Sequence, residues 1–317
     1  MCRILYVTMN PAAPSGGISN IFRHVASLVD LGFDAHVCQD RPHHPSWLDI
    51  GAPCLYASEG QLRIRADDVL VIPDVYLIDR DLARVRCRKV LFCQGHFLMF
   101  HGLGNAFATW QDAGVHEVIC VSPIIAHALR EFAGFPSENI HVIRCPVDAA
   151  PYDPAPRPLS IAYMPRRRGE DAALIRRAFV GAHPTLADVA WTPIDNMTPS
   201  EVSAALRRSA VFLSLSRREG FGLPPVEAMA AGCVVAGFHG YGGLDYASED
   251  NGFWAEEDNP LDAARQLGHA VTLAAAGGSK LKRYREHTAA TVARYSPDLF
   301  QSDLLRVWRN LLGGHPA

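Results

Sequence analysis

The chain has 317 residues, 49% hydrophobic and 20% charged, which supplies apolar material for two cores of about 150 residues each and excludes a disordered polymer. Thirty Lys and Arg against 33 Asp and Glu give a formal charge of -3, so no broad positive field is available to hold a nucleic-acid backbone. The opening MCRILYVTMNPAAPSGG is a short apolar run broken by Asn10, Pro11 and Pro14, which reads as a strand and its loop, and no apolar stretch approaches the roughly 18 residues of a membrane span, so a cytoplasmic protein is expected.

In chain order, short β-branched runs alternate with longer amphipathic stretches, the pattern of βαβ units and parallel sheets. Strands are predicted near 3–8, 34–38, 68–72, 89–93, 117–121 and 140–143. Between them the clearest helix is 18–31, where Ile18, Ile21, Phe22, Val25, Leu28 and Val29 recur at helical spacing and Gly32 supplies the stop. A second covers 123–133, opened by Ser122 as N-cap and Pro123 at the first helical position. From Cys145 to Pro158 the chain reads CPVDAAPYDPAPRP, without periodicity, which predicts an interdomain linker. The second half has strands near 159–163, 188–192, 210–215 and 233–236, and helices near 170–181, 199–207, 224–231, 258–275, 279–294 and 298–312. The eight cysteines form no C-x-x-C pair and mostly lie within apolar runs, so they read as reduced core residues.

Three segments have the composition of a ligand site. In NPAAPSGGISN, between the first strand and the first helix, Gly16 and Gly17 permit close backbone approach and the helix N-terminus offers N–H donors to an anion. The segment lacks G-x-G-x-x-G, so a nicotinamide fingerprint is not supported, and a tight strand-to-helix turn is the plainer alternative. In VFLSLSRREGFGLPPVEAMAAG, 211–232, a buried strand ends in polar residues, a Gly-Phe-Gly turn exposes amides, and a proline opens a short helix closed by Gly232. Glu219 precedes that turn and Glu227 is expected in the helix's first turn, where a macrodipole would favour a carboxylate in any case. Spacing alone decides nothing, since Glu249 and Glu257 are also eight apart and carry no such context. In MPRRRGED, 164–171, three arginines follow a strand, placing them to hold phosphates by bidentate hydrogen bonds unless they form a merely solvated charge run. Ligands of open α/β sheets bind at the strands' C-terminal edge, where both of these last two segments fall.

The string EGFGLPPVEAMAAGCVV resembles the C-terminal-domain signature of retaining nucleotide-sugar glycosyltransferases of the GT-B fold, in particular glycosyltransferase family 4. VIRCPVD before the linker, the arginines after the first strand of the second half, and GGLDYASEDNGFWAEEDN at 242–259 fall where the family has its corresponding segments. The resemblance implies an α/β GT-B architecture of two doubly wound, Rossmann-like domains facing each other across a cleft. Residues 1–148 would be the acceptor-side domain, 149–296 the nucleotide-sugar donor domain, and 297–317 a helix crossing back to the first.

It also implies roles. Glu219 and the Gly220-Phe221-Gly222 backbone would hold the donor sugar near its reacting carbon, and Leu223 with the helix N-terminus would meet the diphosphate. Glu227 would accept from the ribose hydroxyls, Arg166 and one of its neighbours, taken as Arg168, would grip the diphosphate, the backbone around Ile194 would line the base site, and Gly16 and Gly17 would close over the phosphates. The chain departs from the family where Arg166-Arg167-Arg168 replaces a spaced basic pair, and where Gln94 occupies the position of a common histidine, with His96 or His101 as substitutes. His96 is taken with Glu219 as the catalytic pair.

No cofactor is implied, only a nucleotide-diphosphate sugar as co-substrate, and no metal. Asp79-Arg80-Asp81 mimics a D-x-D metal motif, but at the start of a predicted helix its acids serve as caps. The expected partners are the donor and a glycan, lipid-linked or small-molecule acceptor. Arg80, Arg84, Arg86, Arg88 and Lys89 form a basic cluster that reads either as a solvated helix face or as a weak peripheral contact with anionic lipid at the inner membrane face. A catalytically silent nucleotide-sugar-binding subunit, or a GT-B enzyme of another reaction type such as an epimerase, is the rival reading.

Overall fold

The computed structural model describes residues 2–9, 14–148 and 157–313. The chain divides into two compact units, one running up to Cys145 and resuming at Asp298, the other Pro146–Pro297. Residues 149–156 of the expected linker lie outside the described residues.

In the first unit the elements follow as β1 (Ile4–Val7), α1 (Gly16–Asp30), β2 (Ala35–Gln39), β3 (Cys54–Tyr56), β4 (Val69–Pro73), α2 (Arg80–Arg84), β5 (Arg88–Cys93), β6 (Glu117–Cys120), α3 (Pro123–Ala133) and β7 (Ile140–Val142). All seven strands form one parallel sheet in the order β3-β2-β1-β4-β5-β6-β7. Strands sandwiched in this way must be apolar on both faces, and β1, β4, β5 and β6 are runs such as ILYV and VLVIP with almost every residue buried. Helix α1 turns Ile18, Ile21, Phe22, Val25 and Leu28 onto the sheet, and its Ser15 N-cap accepts from the Ile18 N–H. Strand β3 was not legible in the sequence. It is three half-buried residues at the sheet edge, too short to display a period.

The second unit runs β8 (Ser160–Tyr163), α4 (Gly169–Ala182), β9 (Ala190–Pro193), α5 (Pro199–Arg208), β10 (Val211–Leu215), α6 (Leu223–Ala230), β11 (Val234–Phe238), β12 (Phe253–Trp254), α7 (Pro260–Ala276) and α8 (Gly278–Ala293). Its five parallel strands take the order β12-β11-β10-β8-β9. Counted from β8, that is the doubly wound order 2-1-3-4-5 read from the other edge, with its switch point between β8 and β10. The core joins Ile161, Val211, Leu213, Val234 and Ala236 of the sheet to Ile175 and Phe179 of α4 and Leu267 and Val271 of α7. Helix α5 starts on a capping box, Thr198 with Glu201, followed by Pro199. The two-residue edge strand β12 was again unread.

Helix α9 (Pro297–Leu311) belongs, from Asp298 on, to the first unit. It buries Phe300, Leu304, Val307, Trp308 and Leu311, and Asp303 accepts from Arg144 Nε at 2.8 Å. Phe300 lies against His24 of α1 and Trp308 against Tyr6 of β1. Each such side chain contributes about 1.5–3 kcal/mol of burial.

The cysteines are all thiols. Burial pushes Cys38 and Cys233 up to about 12, which leaves them un-ionised and unreactive. The basic cluster does not form one helix face. Lys89 is buried on β5 with Nζ donating to the Val85 carbonyl at 2.7 Å, while Arg80, Arg84, Arg86 and Arg88 are exposed, Arg88 donating to the Leu311 carbonyl. Among the described residues no helix is long and apolar enough to cross a membrane.

Candidate functional site

The switch point of the second sheet brings the loops after β8 and β10 together. The chain leaves β8 through Met164 into a single 3-10 turn, Pro165–Arg167, which puts Arg166 and Arg167 in solvent and sends Arg168 inward as α4 begins. It leaves β10, the neighbouring strand, through Ser216, Arg217 and Arg218 to Glu219. Arg167 Nε and Glu219 Oε1 meet at 3.3 Å, with the two side chains 50% and 24% exposed. Burial raises the Glu219 carboxyl above its ordinary value, while the charges of Arg167 and Arg166 pull against that rise.

Two glycines explain how this turn is held. The loop after β11, His239–Gly243, lies directly on the backbone of 216–221, and the Gly240 carbonyl accepts from the Glu219 N–H at 2.9 Å. A Cβ on Gly242 would stand 2.5 Å from the Glu219 carbonyl oxygen, and one on Gly240 would stand 2.7 Å from Ser216 Cβ, where φ is already +64°. Gly242→Ala is therefore expected to cost turnover at least tenfold by displacing Glu219, with steady-state kinetics as the check. A variant with wild-type kcat shows the loop to be free of this constraint.

Helix α6 opens at Leu223 with Gly222 as N-cap, so Pro224 and Pro225 occupy its first turn, where a missing N–H is no loss. Glu227 is thus the fifth helical residue and not a first-turn carboxylate, which corrects the sequence expectation and removes the macrodipole as its main reason for being there. Glu219 and Glu227 both act on the phenol of Tyr246, whose pKa is raised first by burial and further by these charges. Tyr246 Oη donates to the Gly222 carbonyl at 2.7 Å and its ring packs edge-on to Phe221, fixing the Gly-Phe-Gly turn from behind. Ile194 follows β9, side chain buried, with its N–H donating to the Tyr163 carbonyl at 2.8 Å at the same sheet edge.

Arg168 is not placed as the sequence suggested. Its side chain is 3% exposed, and all three guanidinium nitrogens are engaged: Nε with the Ser216 carbonyl at 3.1 Å, Nη1 with Asp171 at 3.1 Å and Asp258 at 2.7 Å, Nη2 with Glu257 at 3.1 Å. Arg167, passed over in the sequence, is the neighbour that reaches Glu219. The signal was Pro165: a tight turn fans three consecutive side chains in different directions, so adjacent arginines do not share a task.

In the first unit, Gly16 and Gly17 open α1. Gln94, just past β5, donates to the Gly17 carbonyl at 3.1 Å and accepts from Asn20 Nδ2 at 3.1 Å, so it ties down the glycine segment. Asp74 accepts from the N–H groups of Gln94 and Gly95 at 3.0 and 2.9 Å, and burial pushes its carboxyl up to about 6 in spite of these donors. His96 is half-buried against Phe97, its Nδ1 without a hydrogen-bond partner among the described residues, and burial lowers its pKa so that the ring is neutral near pH 7. His101 is exposed on the next turn. Asp79 caps α2 by accepting from the Leu82 N–H at 2.7 Å, the helix-cap role expected of it.

Residues 187–289 match the family described as Glycosyl transferases group 1. An alpha-1,6-glucosyltransferase of Actinobacillus pleuropneumoniae serotype 7 (strain AP76) is 24% identical over 279 residues, covering 84% of this chain and 83% of that one. Among solved structures, a glycosyltransferase from Rickettsia africae ESF-5 superposes with a TM-score of 0.70 at 16% identity over 99% of both chains. The Anabaena HepE protein in complex with UDP gives 0.64 at 14% identity, over 98% of this chain and 100% of that one. The chain therefore shares the fold of these glycosyltransferase structures, and its residues 187–289 match the Glycosyl transferases group 1 family.

Proposed function

We propose that the chain transfers a sugar, with retention of anomeric configuration, from a nucleotide-diphosphate sugar to a glycan, lipid-linked or small-molecule acceptor, without a metal. The observation that carries this reading is the pairing at the switch point of the second sheet: Arg166 and Arg167 after β8, Glu219 after β10, and the N-terminus of α6 beside them. Departure of the nucleoside diphosphate leaves negative charge on a phosphate oxygen, and guanidinium groups stabilise it together with the N–H of Leu223, the one donor among the first three helical residues of α6, since Pro224 and Pro225 have none. The Arg167–Glu219 ion pair is half-exposed on the arginine side, so the Arg167 guanidinium is within reach of solvent and of a phosphate.

In this reaction the bond from the anomeric carbon to the phosphate oxygen breaks and the acceptor oxygen bonds to the same face of that carbon. The acceptor proton passes to the departing phosphate oxygen. Glu219 orients the sugar and offsets its growing positive charge without forming a covalent bond. Glu227 accepts from the ribose, and the main chain at Ile194 lines the base site. Arg167 takes the diphosphate role that the resemblance gave to Arg168, alongside Arg166. Nucleotide binding by the Anabaena relative supports the donor class.

Thermal-shift screening against UDP, GDP, ADP and their sugars tests the reading, because a ligand that binds only the folded state must raise its stability. Changing Arg166 and Arg167 together to alanine is expected to weaken nucleoside diphosphate binding tenfold or more, at about 1.4 kcal/mol per factor of ten. Transfer should release nucleoside diphosphate and glycoside one for one, and the product should keep the donor's anomeric configuration by NMR. No shift with any nucleotide, or an inverted product, overturns it.

A further inference from the structure

Arg168 closes a circuit around Glu219 without approaching it. Its Nε binds the Ser216 carbonyl, three residues upstream of Glu219. Its Nη2 binds Glu257 Oε2, and Oε1 of the same carboxylate accepts from the Gly240 N–H at 2.6 Å. The Gly240 carbonyl in turn accepts from the Glu219 N–H at 2.9 Å and the Gly242 N–H at 2.8 Å. The guanidinium lies over the Phe238 ring at 4.2 Å, so the last residue of β11 fixes its plane. Glu257 is 9% exposed.

Backbone strain collects at the same place. Among the described residues the non-glycine positions with positive φ are Asn196, Arg218, Tyr241 and Asp258. Arg218 precedes Glu219, Tyr241 follows Gly240, and Asp258 is itself an Arg168 partner. Such conformations persist only where the surroundings over-determine them. A fork of five N–H donors reaching three carboxylates and a carbonyl is the kind of group that can do so, and a lysine cannot copy it.

We propose that Arg168 is the positioning residue of the acidic site, setting Glu219 through the Ser216 carbonyl and through Glu257 and the Gly240 main chain, and that it contacts no substrate. The proposal rests on the reading of Glu219 as the residue facing the donor sugar. Arg168 therefore differs in kind from its neighbours: Arg166 and Arg167 act on affinity, Arg168 on rate.

The test uses the full chain with Arg168→Lys and Glu257→Gln. Glutamine keeps an acceptor for Gly240 while removing the charge that binds Arg168, so it is the milder change. Hydrogen exchange read by mass spectrometry is expected to accelerate at least tenfold in the peptides spanning 216–222 and 239–243, with the second unit unchanged away from Arg168 and its partners Asp171, Glu257 and Asp258. Where a donor is turned over, kcat is expected to fall on the order of tenfold to a hundredfold with KM for the donor, and the midpoint of UDP, GDP or ADP titration, within twofold. Unchanged exchange in those two peptides, or acceleration spread over the whole unit, overturns the positioning role. A nucleoside diphosphate affinity that falls in step with kcat makes Arg168 a ligand contact and also overturns it. Absence of any nucleotide binding by the wild-type chain sinks the reading of the site instead, while the exchange data still decide whether Arg168 holds Glu219.

Discussion

Replacing Glu219 with glutamine is expected to lower kcat by about a hundredfold to a thousandfold and, at neutral pH, to raise the melting temperature of the second unit. The first effect is the usual size for removing one preorganised electrostatic group aimed at charge that develops in the transition state. The second follows from the carboxyl's surroundings. Burial raises its folded pKa above the ordinary carboxylate value, and the opposing charges of Arg167 and Arg166 do not cancel that rise. A carboxylic acid with the higher pKa in the folded chain holds its proton more tightly there than when unfolded. Stability then falls as pH climbs through the interval between the unfolded and folded pKa values, and the deficit persists at neutral pH.

Glutamine never ionises, so Glu219→Gln avoids the deficit. Melting curves of the two proteins, taken from about pH 3.5 to about pH 8, should converge below the unfolded carboxyl pKa and separate above it. A wild-type chain more stable than the variant at neutral pH means that the ion pair outweighs desolvation, and the predicted gain is wrong. Turnover within a fewfold of wild type removes Glu219 from the mechanism whatever the melting curves show.

The sequence was a good guide wherever physics writes a period or a cap. Buried parallel strands are continuous apolar runs, so β1, β4, β5, β6 and β10 were found to within a residue or two. Ser122-Pro123 announced a helix start. Edge strands β3 and β12 were lost because three and two residues carry no period. Glu219 stood out because a carboxylate in the loop that leaves an all-buried strand needs a reason. What stayed hidden was direction. Nothing in Arg-Arg-Arg says which guanidinium points out, and the answer was set by a 3-10 turn. Glu257 was set aside with Glu249 because their spacing had no context, yet it is one of the more buried carboxylates of the second unit and binds both Arg168 and Gly240. Its context is tertiary, supplied by residues 17 and 89 positions away.

Trp308→Ala is the change expected to cost the fold most. Trp308 is fully buried, on a helix that comes last in the chain and yet packs into the first unit, where β1 supplies Tyr6 and α1 supplies His24. Truncating a buried tryptophan removes its transfer free energy and leaves a cavity, together about 3–5 kcal/mol. For a domain of 150–250 residues each kcal/mol lowers the melting temperature by about 2–4 °C, so a drop on the order of 10 °C is expected in one of the unit transitions. Arg306→Ala on the same helix is the control: its ion pair with Asp303 is half-exposed on the arginine side and contributes less than about 1 kcal/mol. Calorimetry of both variants, with UDP, GDP or ADP present and absent, separates the units, because nucleotide should stabilise the second and leave the Trp308 transition at the same deficit. If Trp308→Ala melts within 2 °C of wild type, at the roughly 2–4 °C per kcal/mol expected, α9 is an appendage and not part of the first core.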